Sequence, residues 1–378
     1  MKKHLTIAVL LMATLPLRAQ QVTIWQKALN FLNKKGNIDT TRIYQPRASF
    51  SLGLFTTGQK AGFDMDVDFM TDLGEEGKLT GATQYHITEN LCKKIGLEVG
   101  YGNVNLGYGI EVGPRSASKK SAFAFNILGR VWGVHLNYFK ITNPFNSGMT
   151  IGNDGDVYYL HDEFISSESA ALRNFMVDGY YVFNNKRFAY PAAYKKSLVQ
   201  RRTAGSWMLT ARYMQGDLYN SPKAAMDSYN LIDCFSALQA SIGGGYSVNF
   251  VLWHKDPVNA RDEKLRNITV NLTAMPVITL LNYLRTTSYE YEDGHYNGKE
   301  RVSKMFCYPM PNFIGSAAAS LTLGRFYFST QFTYNYFYFR RRDALNSGQV
   351  NIPGYVDRLD YQGLFYDWTL KGLLVYKF

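Results

Sequence analysis

From about residue 48 to the C-terminus, apolar and polar side chains alternate almost one for one. A repeat of two places successive side chains on opposite faces of an extended chain, so this pattern commits most of the molecule to β-strands. Phe50, Leu52 and Leu54 alternate with Ser49, Ser51 and Gly53. Phe63, Met65, Val67 and Phe69 alternate with Gly62, Asp64, Asp66 and Asp68. Ile95, Leu97, Val99 and Tyr101 alternate with Gly96, Glu98 and Gly100, turn at Gly102-Asn103, and return as Leu106, Tyr108, Ile110 and Val112 against Asn105, Gly107, Gly109 and Glu111. The rhythm recurs to the end of the chain. It reads as about fourteen strands, with 79–88 the weakest and twelve as the alternative count.

The apolar face of such a sheet lies either in a core, as in a secreted β-sandwich, or in lipid. Three features favour lipid. The opposite face is rich in Gly, Ser, Thr and Asn, which suit the crowded inside of a closed barrel, rather than in the Lys and Glu of a solvated sheet. Tight turns at 102–103, 129–130 and 324–325 are separated by long polar segments near 141–172, 216–236, 281–311 and 340–362. Finally, the chain ends in a strand whose Trp368, Leu370, Gly372, Leu374, Tyr376 and Phe378 share one face. Terminal Phe378 with Tyr376 two places before it resembles the C-terminal signal read by the outer-membrane barrel assembly machinery, with Gly372 one place off the usual position.

Composition agrees with this reading. Aromatic residues make up 15% of the 378, yet charges run the whole length and mean hydropathy is slightly negative. A helical membrane protein would need uncharged apolar runs of about 18 residues, and a disordered chain would lack the aromatics. Alternation reconciles the two averages, because each lipid-facing ring is followed by a polar lumen residue.

Lys2, Lys3 and His4 precede an apolar stretch from Leu5 to Leu15 and then Pro16-Leu17-Arg18-Ala19. This reads as a secretory signal peptide over 1–19, with no Cys after the cut to make a lipoprotein. Residues 20–46 form a periplasmic segment in which Trp25, Ala28, Leu29 and Leu32 recur at helical spacing and Gly36 ends a short helix over 22–36. The barrel then occupies 47–378, with both termini periplasmic and the long loops extracellular. Cys92, Cys234 and Cys307 fit no metal-ligand spacing and allow at most one disulfide, so they supply no disulfide framework. The formal charge of +11 is dispersed. Arg340-Arg341-Arg342 suits a loop near anionic headgroups better than nucleic acid, which an exported protein rarely meets.

The run Phe188-Ala-Tyr-Pro-Ala-Ala-Tyr-Lys-Lys-Ser-Leu-Val-Gln-Arg-Arg-Thr-Ala-Gly-Ser-Trp207 resembles a hallmark stretch of an uncharacterised Bacteroidetes outer-membrane protein family. So do the hairpin Lys94–Val112, the segment Ser121–Phe139 and the glycine-rich strand Ser241–Trp253. The likeness covers the chain from about Asp39 onwards, and the region around Phe63–Thr83 is longer than expected of that family. The resemblance implies an outer-membrane barrel of a Gram-negative bacterium and brings neither catalytic residues nor a substrate.

Asp64, Asp66 and Asp68 lack the Gly and distal Glu of a calcium loop, and their spacing is that of a strand. They are expected on one face in the lumen, with Glu98 and Glu111 nearby, either as a hydrated wall or as a cation-attracting strip. Arg212 and Lys371 fall in the same inward phase and are placed to pair with these acids across the pore. Arg201 and Arg202 precede a strand and read as turn or rim residues. A lipid-cleaving barrel would need a Ser–His pair on its outer wall, whereas His135, the one histidine set firmly in a strand, is in inward phase beside Asn137. No catalytic residue, metal site or cofactor is therefore expected.

The expected fold is an all-β, transmembrane, antiparallel up-and-down barrel with a short N-terminal periplasmic helix. The expected role is a porin-like passive channel or transporter for a small solute of unknown identity. The alternative is a structural or surface-interaction barrel with an occluded lumen, and a lipid-modifying enzyme is the least supported. The expected partners are outer-membrane lipid and the assembly machinery, with no nucleic acid.

Overall fold

The computed structural model describes residues 38–46, 50–72, 78–88, 91–102, 104–112, 119–142, 145–151, 157–164, 170–220, 234–257, 264–292, 295–306, 309–344 and 358–378. The expected signal peptide and the 22–36 helix lie outside the described residues. So does Cys307, while Cys92 is buried and Cys234 half-buried.

The strands in chain order are β1 (Ile43–Tyr44), β2 (Phe50–Asp72), β3 (Lys78–Thr88), β4 (Cys92–Tyr101), β5 (Val104–Glu111) and β6 (Lys119–Leu128). Next come β7 (Trp132–Thr142), β8 (Phe145–Ile151), β9 (Val157–Phe164), β10 (Ala170–Val182), β11 (Val199–Gln200) and β12 (Ala204–Asn220). The last six are β13 (Cys234–Lys255), β14 (Arg266–Glu292), β15 (His295–Phe306), β16 (Pro311–Leu323), β17 (Phe326–Ala344) and β18 (Arg358–Lys377). Pairing of β18 with β2 closes an antiparallel barrel of twelve strands. Closure leaves neither end of the sheet as a free edge strand, the condition for crossing a bilayer with strands.

Twelve rather than fourteen is a correction with a geometric reason. The weak 79–88 segment does form a strand, β3, but β3 and β4 lie end to end along the single long strand β2. In the same way β15 and β16 lie end to end along β14. The hairpin β8–β9 pairs onto β3. None of these adds a lane to the wall.

One end of the barrel carries the tight turns, and it is called the turn end here. Gly102 and Gly324 adopt φ of 57°, a left-handed conformation that costs glycine little. The opposite, hairpin end carries the long connections. Outward residues near the turn end and through the middle are large and apolar: Leu52, Leu54, Leu97, Tyr108, Trp207, Leu209, Phe250, Leu272, Phe328 and Leu370 are all exposed. An apolar belt around a closed antiparallel barrel is the outer-membrane type.

Towards the hairpin end the pattern inverts. On β12 the outward series Trp207, Leu209, Tyr213 continues as Gln215 and Asp217, and Asp217 accepts from both Gln215 and Ser236. The inward series Ser206, Thr210, Arg212 continues as the buried Met214 and Leu218. Phe139, Ile141, Leu172, Phe235, Phe337 and Phe365 join them inside, with Phe139 and Phe365 stacked at 6.4 Å. Here the wall has left the lipid, so water takes the outer face and the apolar side chains pack inward.

That inversion corrects the placement of the aspartates. β2 runs in unbroken register from Phe50 to Asp72, so Asp64 and Asp66 share the phase of Leu52 and Leu54 and face outward. Asp66 Oδ2 accepts from Gln362 Nε2 at 2.7 Å, and Gln362 lies on the outer face with Tyr338. Asp68 falls at the next position of that register, opposite Asp360. Reading 50–54 and 63–69 as separate strands hid the change of phase between them.

Candidate functional site

The connection between β10 and β12 does not stay outside as a turn. Residues 184–203 fold back into the lumen from the turn end, with a 3-10 turn at Tyr190–Ala193. Pro191 opens that turn at a position where no backbone donor is needed. Phe188 is driven into an apolar cluster with Val182, Met208, Met275, Val277 and Ile314.

The rest of the segment is latched by a polar wall. Asn249 Nδ2 donates to the Ala189 carbonyl at 2.7 Å, and Asn267 Nδ2 to the Gln200 carbonyl at 2.8 Å. Tyr194 Oη meets Asn271 Oδ1 and Ser316 Oγ, each at 2.8 Å, and Gln331 Nε2 donates to the Tyr194 carbonyl at 3.0 Å. Lys196 Nζ donates to the Gly324 carbonyl. Within the segment, Gln200 accepts from the Ala189 amide and donates to the Arg187 carbonyl, each at 2.8 Å, and β11 pairs with β1. Behind these latches Ser247, Asn249, Asn267, Thr269, Asn271 and Thr273 bond one another on the inner faces of β13 and β14. A buried polar ladder is tolerable because its members are satisfied.

These lumen latches come from β13, β14, β16, β17 and the turn between the last two, while Asn184 at the start of the segment is held by Ser206 and Gly205 of β12. A cavity of about 310 Å³ lies in the lumen, lined by the inner faces of β2, β4 to β7, β10, β12 and β16 to β18 and by Tyr190 and Tyr194 of the infolded segment. Two ion pairs line it. Lys371 Nζ lies 2.6 Å from Glu98 Oε2, and Asn105 Nδ2 donates to Glu98 Oε1 at 2.5 Å. Arg212 pairs with Asp178 and donates to Asn335 Oδ1 at 2.8 Å, and its guanidinium lies over the Phe337 ring. His135 Nδ1 is 3.4 Å from Asp178 Oδ2.

Lys195 in the infolded segment is buried, and desolvation lowers its ammonium to about 7. Glu98 opposes that lowering, and Lys371 adds to it. Towards the hairpin end the apolar layer around Leu172, Met214, Phe235, Phe337 and Phe365 leaves a void of only about 10 Å³, room for one water molecule at most.

Among the residues singled out from sequence, Glu98, Arg212 and Lys371 line this chamber. Glu111 is in the same inward phase but exposed at the end of β5, in register with Lys94. Tyr376 and Phe378 stack edge to face at 5.2 Å on the outer wall, and the Phe378 amide donates to the Phe50 carbonyl across the closing seam. Arg201 sits at the turn end, 2.6 Å from Asp256. Sequence reasoning did not single out Asp178, Lys195 or Lys196. The signal for Asp178 was its inward phase on β10; two adjacent lysines in a connection gave none, since such residues are usually solvated.

A model of a family described as a domain of unknown function, DUF4421, matches residues 38–353, and the chain belongs to that family. No functionally curated protein matches the chain. Among solved structures, the outer membrane protease OmpT from Escherichia coli is 8% identical with a TM-score of 0.40, covering 92% of this chain and all of its own. OccK2 from Pseudomonas aeruginosa, solved with glucuronate, is 11% identical with a TM-score of 0.15, covering 86% and 98%. The toluene transporter TodX from P. putida is 7% identical with a TM-score of 0.16, covering 92% and 94%. The assignment to the outer-membrane barrel class rests on the closed sheet and its apolar belt.

Proposed function

We propose that this member of the DUF4421 family is a gated barrel that holds a small polar solute in the lumen chamber. In this reading the turn end is periplasmic, the hairpin end extracellular, and segment 184–203 is the gate. The observation that supports it most is a chamber of about 310 Å³ left beside a densely latched lumen segment. A barrel built only as a scaffold gains nothing from that space, whereas a binding site needs it. The lining suits a solute with both donors and acceptors. Its central charges are paired with each other, and amides, hydroxyls and the Tyr190 and Tyr194 rings make up much of the remainder.

The second reading, a permanently occluded surface barrel, draws on the tight apolar layer beyond the chamber. Planar-bilayer recording separates the two. The native protein should show no steady conductance, and a variant with residues 189–198 replaced by a Gly-Ser linker of equal length should conduct. Steady conductance of the native protein sinks the gate. A folded linker variant that stays silent leaves the occluded barrel. The double substitution Asn249→Ala with Asn267→Ala, which loosens the gate without removing it, covers the case in which the linker variant does not assemble.

A further inference from the structure

The barrel wall has one weak seam. β4 and β5 pair along their length from Tyr101↔Val104 to Lys94↔Glu111, and β6 and β7 from Leu128↔Gly133 to Lys119↔Thr142. Between β5 and β6 the register runs only from Val104↔Ile127 to Gly107↔Ala124. Beyond that point no strand pairing joins Tyr108–Ile110 on one bank to Ser121–Phe123 on the other, while each bank stays paired with β4 or β7. At a rise of about 3.4 Å per residue, the unzipped stretch is roughly 10 Å long.

The depth of the seam makes it chemically demanding. Tyr108, Ile110 and Phe123 beside it are exposed outward, level with Ile95 and Tyr138 in the apolar belt. Unpaired strand edges facing hydrocarbon cost several kcal/mol per polar group, so such a gap is tenable only when it opens onto polar space or is occupied. The polar space is there: Gly107 and Gly109 on one bank and Ala124 and Asn126 on the other line the chamber. The glycines leave the β5 bank without side-chain bulk, and the Phe55 ring rests on them. A Cβ on Gly109 would lie 3.0 Å from that ring, and one on Gly96 would lie 2.4 Å from it.

We infer that the β5–β6 seam is a lateral portal between the chamber and the surrounding lipid. Its occupant is a single-chain amphiphile with an uncharged or zwitterionic polar head. The head sits in the chamber, where the Lys371–Glu98 and Arg212–Asp178 pairs are already neutralised and Asn126 and Asn137 offer amides. The chain leaves between Ile110 and Phe123 and joins the acyl layer. This rests on the chamber reading above and specifies the ligand class and its route.

The test uses the protein with Cys92, Cys234 and Cys307 replaced by Ala, reconstituted in phosphatidylcholine vesicles, with a lysophosphatidylcholine carrying a diazirine in its chain. Irradiation should concentrate adducts on β5 and β6 beside the seam, at Ile110, Ser121 and Phe123, and excess unlabelled lysophosphatidylcholine should compete them away. Continuing the Gly107↔Ala124 register brings Ile110 opposite Ser121. Oxidising an Ile110→Cys, Ser121→Cys pair should therefore zip the seam and cut those adducts about tenfold, with recovery on reduction. Asn126→Trp, which fills the chamber behind the seam without a cross-link, should give the same loss. Labelling on β16–β18 should not change in either variant. Adducts spread evenly around the belt, or adducts on β5 and β6 that ignore both the cross-link and Asn126→Trp, overturn the portal. If the linker variant of the gate conducts while seam labelling fails, the portal alone is wrong. If seam labelling holds and that variant is silent, the gate is wrong and the portal stands.

Discussion

The same strands behave as two different proteins along their length. Near the turn end β12 shows lipid Trp207 and Leu209 and turns Ser206 and Thr210 inward. A few residues later it shows water Gln215 and Asp217 and packs Met214 and Leu218 inside. The first half is patterned like a membrane barrel and the second like a soluble one, although backbone, register and handedness do not change. What changes is the medium outside. The comparison shows that apolar phase reports what lies beyond each face, not which face is the interior.

The largest effect is expected at the boundary between the halves. Arg212 touches both, pairing with Asp178 below and lying over Phe337 above. Arg212→Ala leaves the Asp178 carboxylate buried without its cation and should cost about 3–5 kcal/mol, read as a shift in the urea midpoint of the folded barrel. Recovery of most of that loss by a second change, Asp178→Asn, would tie the cost to the stranded charge.

Next comes a direct attack on the inversion. Leu209 and Gln215 share one face of β12, six positions apart. Leu209→Arg should cost about 2–4 kcal/mol because it faces hydrocarbon, whereas Gln215→Arg should stay within about 0.5 kcal/mol. Equal costs would mean that the two positions see the same medium.

A smaller effect concerns the gate. Lys195 falls from its ordinary 10.5 to about 7 when folded, so the unfolded chain binds more protons between those values. Stability therefore rises as pH increases through that window. Between pH 6 and pH 8 the gain should be about 1 kcal/mol, lost in Lys195→Met. Hydrogen-exchange protection factors across 184–203, corrected for the intrinsic exchange rate, should rise correspondingly with pH.

The smallest is expected at Asp66. Since it lies on the outer wall of the hairpin end, Asp66→Asn should change stability by less than about 0.5 kcal/mol. It should also leave the ion selectivity of the gate-opened variant unchanged. A clear selectivity change would return the aspartates to the lumen.

Much of this was legible in the residues because alternation is a local property. Phe50-to-Leu54 and Ile95-to-Tyr101 needed no partner strand to be read as lipid-facing, and the inward phases of Glu98, Arg212 and Lys371 followed from the same count. The limit came where two phases met within β2. Local alternation fixes which residues share a face, but only an unbroken backbone from Phe50 to Asp72 says that Asp66 shares it with Leu52. Lys195 and Lys196 were illegible for a different reason. A lysine in a connection is buried only when partners far away in sequence, such as the Gly324 carbonyl, are brought to it.

By itself, then, the sequence determined that the chain is a sheet with one face in lipid, because a repeat of two is written residue by residue. The same local repeat marked hairpins such as Lys94–Val112 and the aromatic C-terminal strand. The tertiary structure alone decided the number of lanes, the return of residues 184–203 into the lumen, the ion pairs lining the chamber and the open seam between β5 and β6. Those depend on which strands become neighbours and how far their pairing runs. Such contacts join residues tens to hundreds of positions apart, and no local pattern encodes that choice.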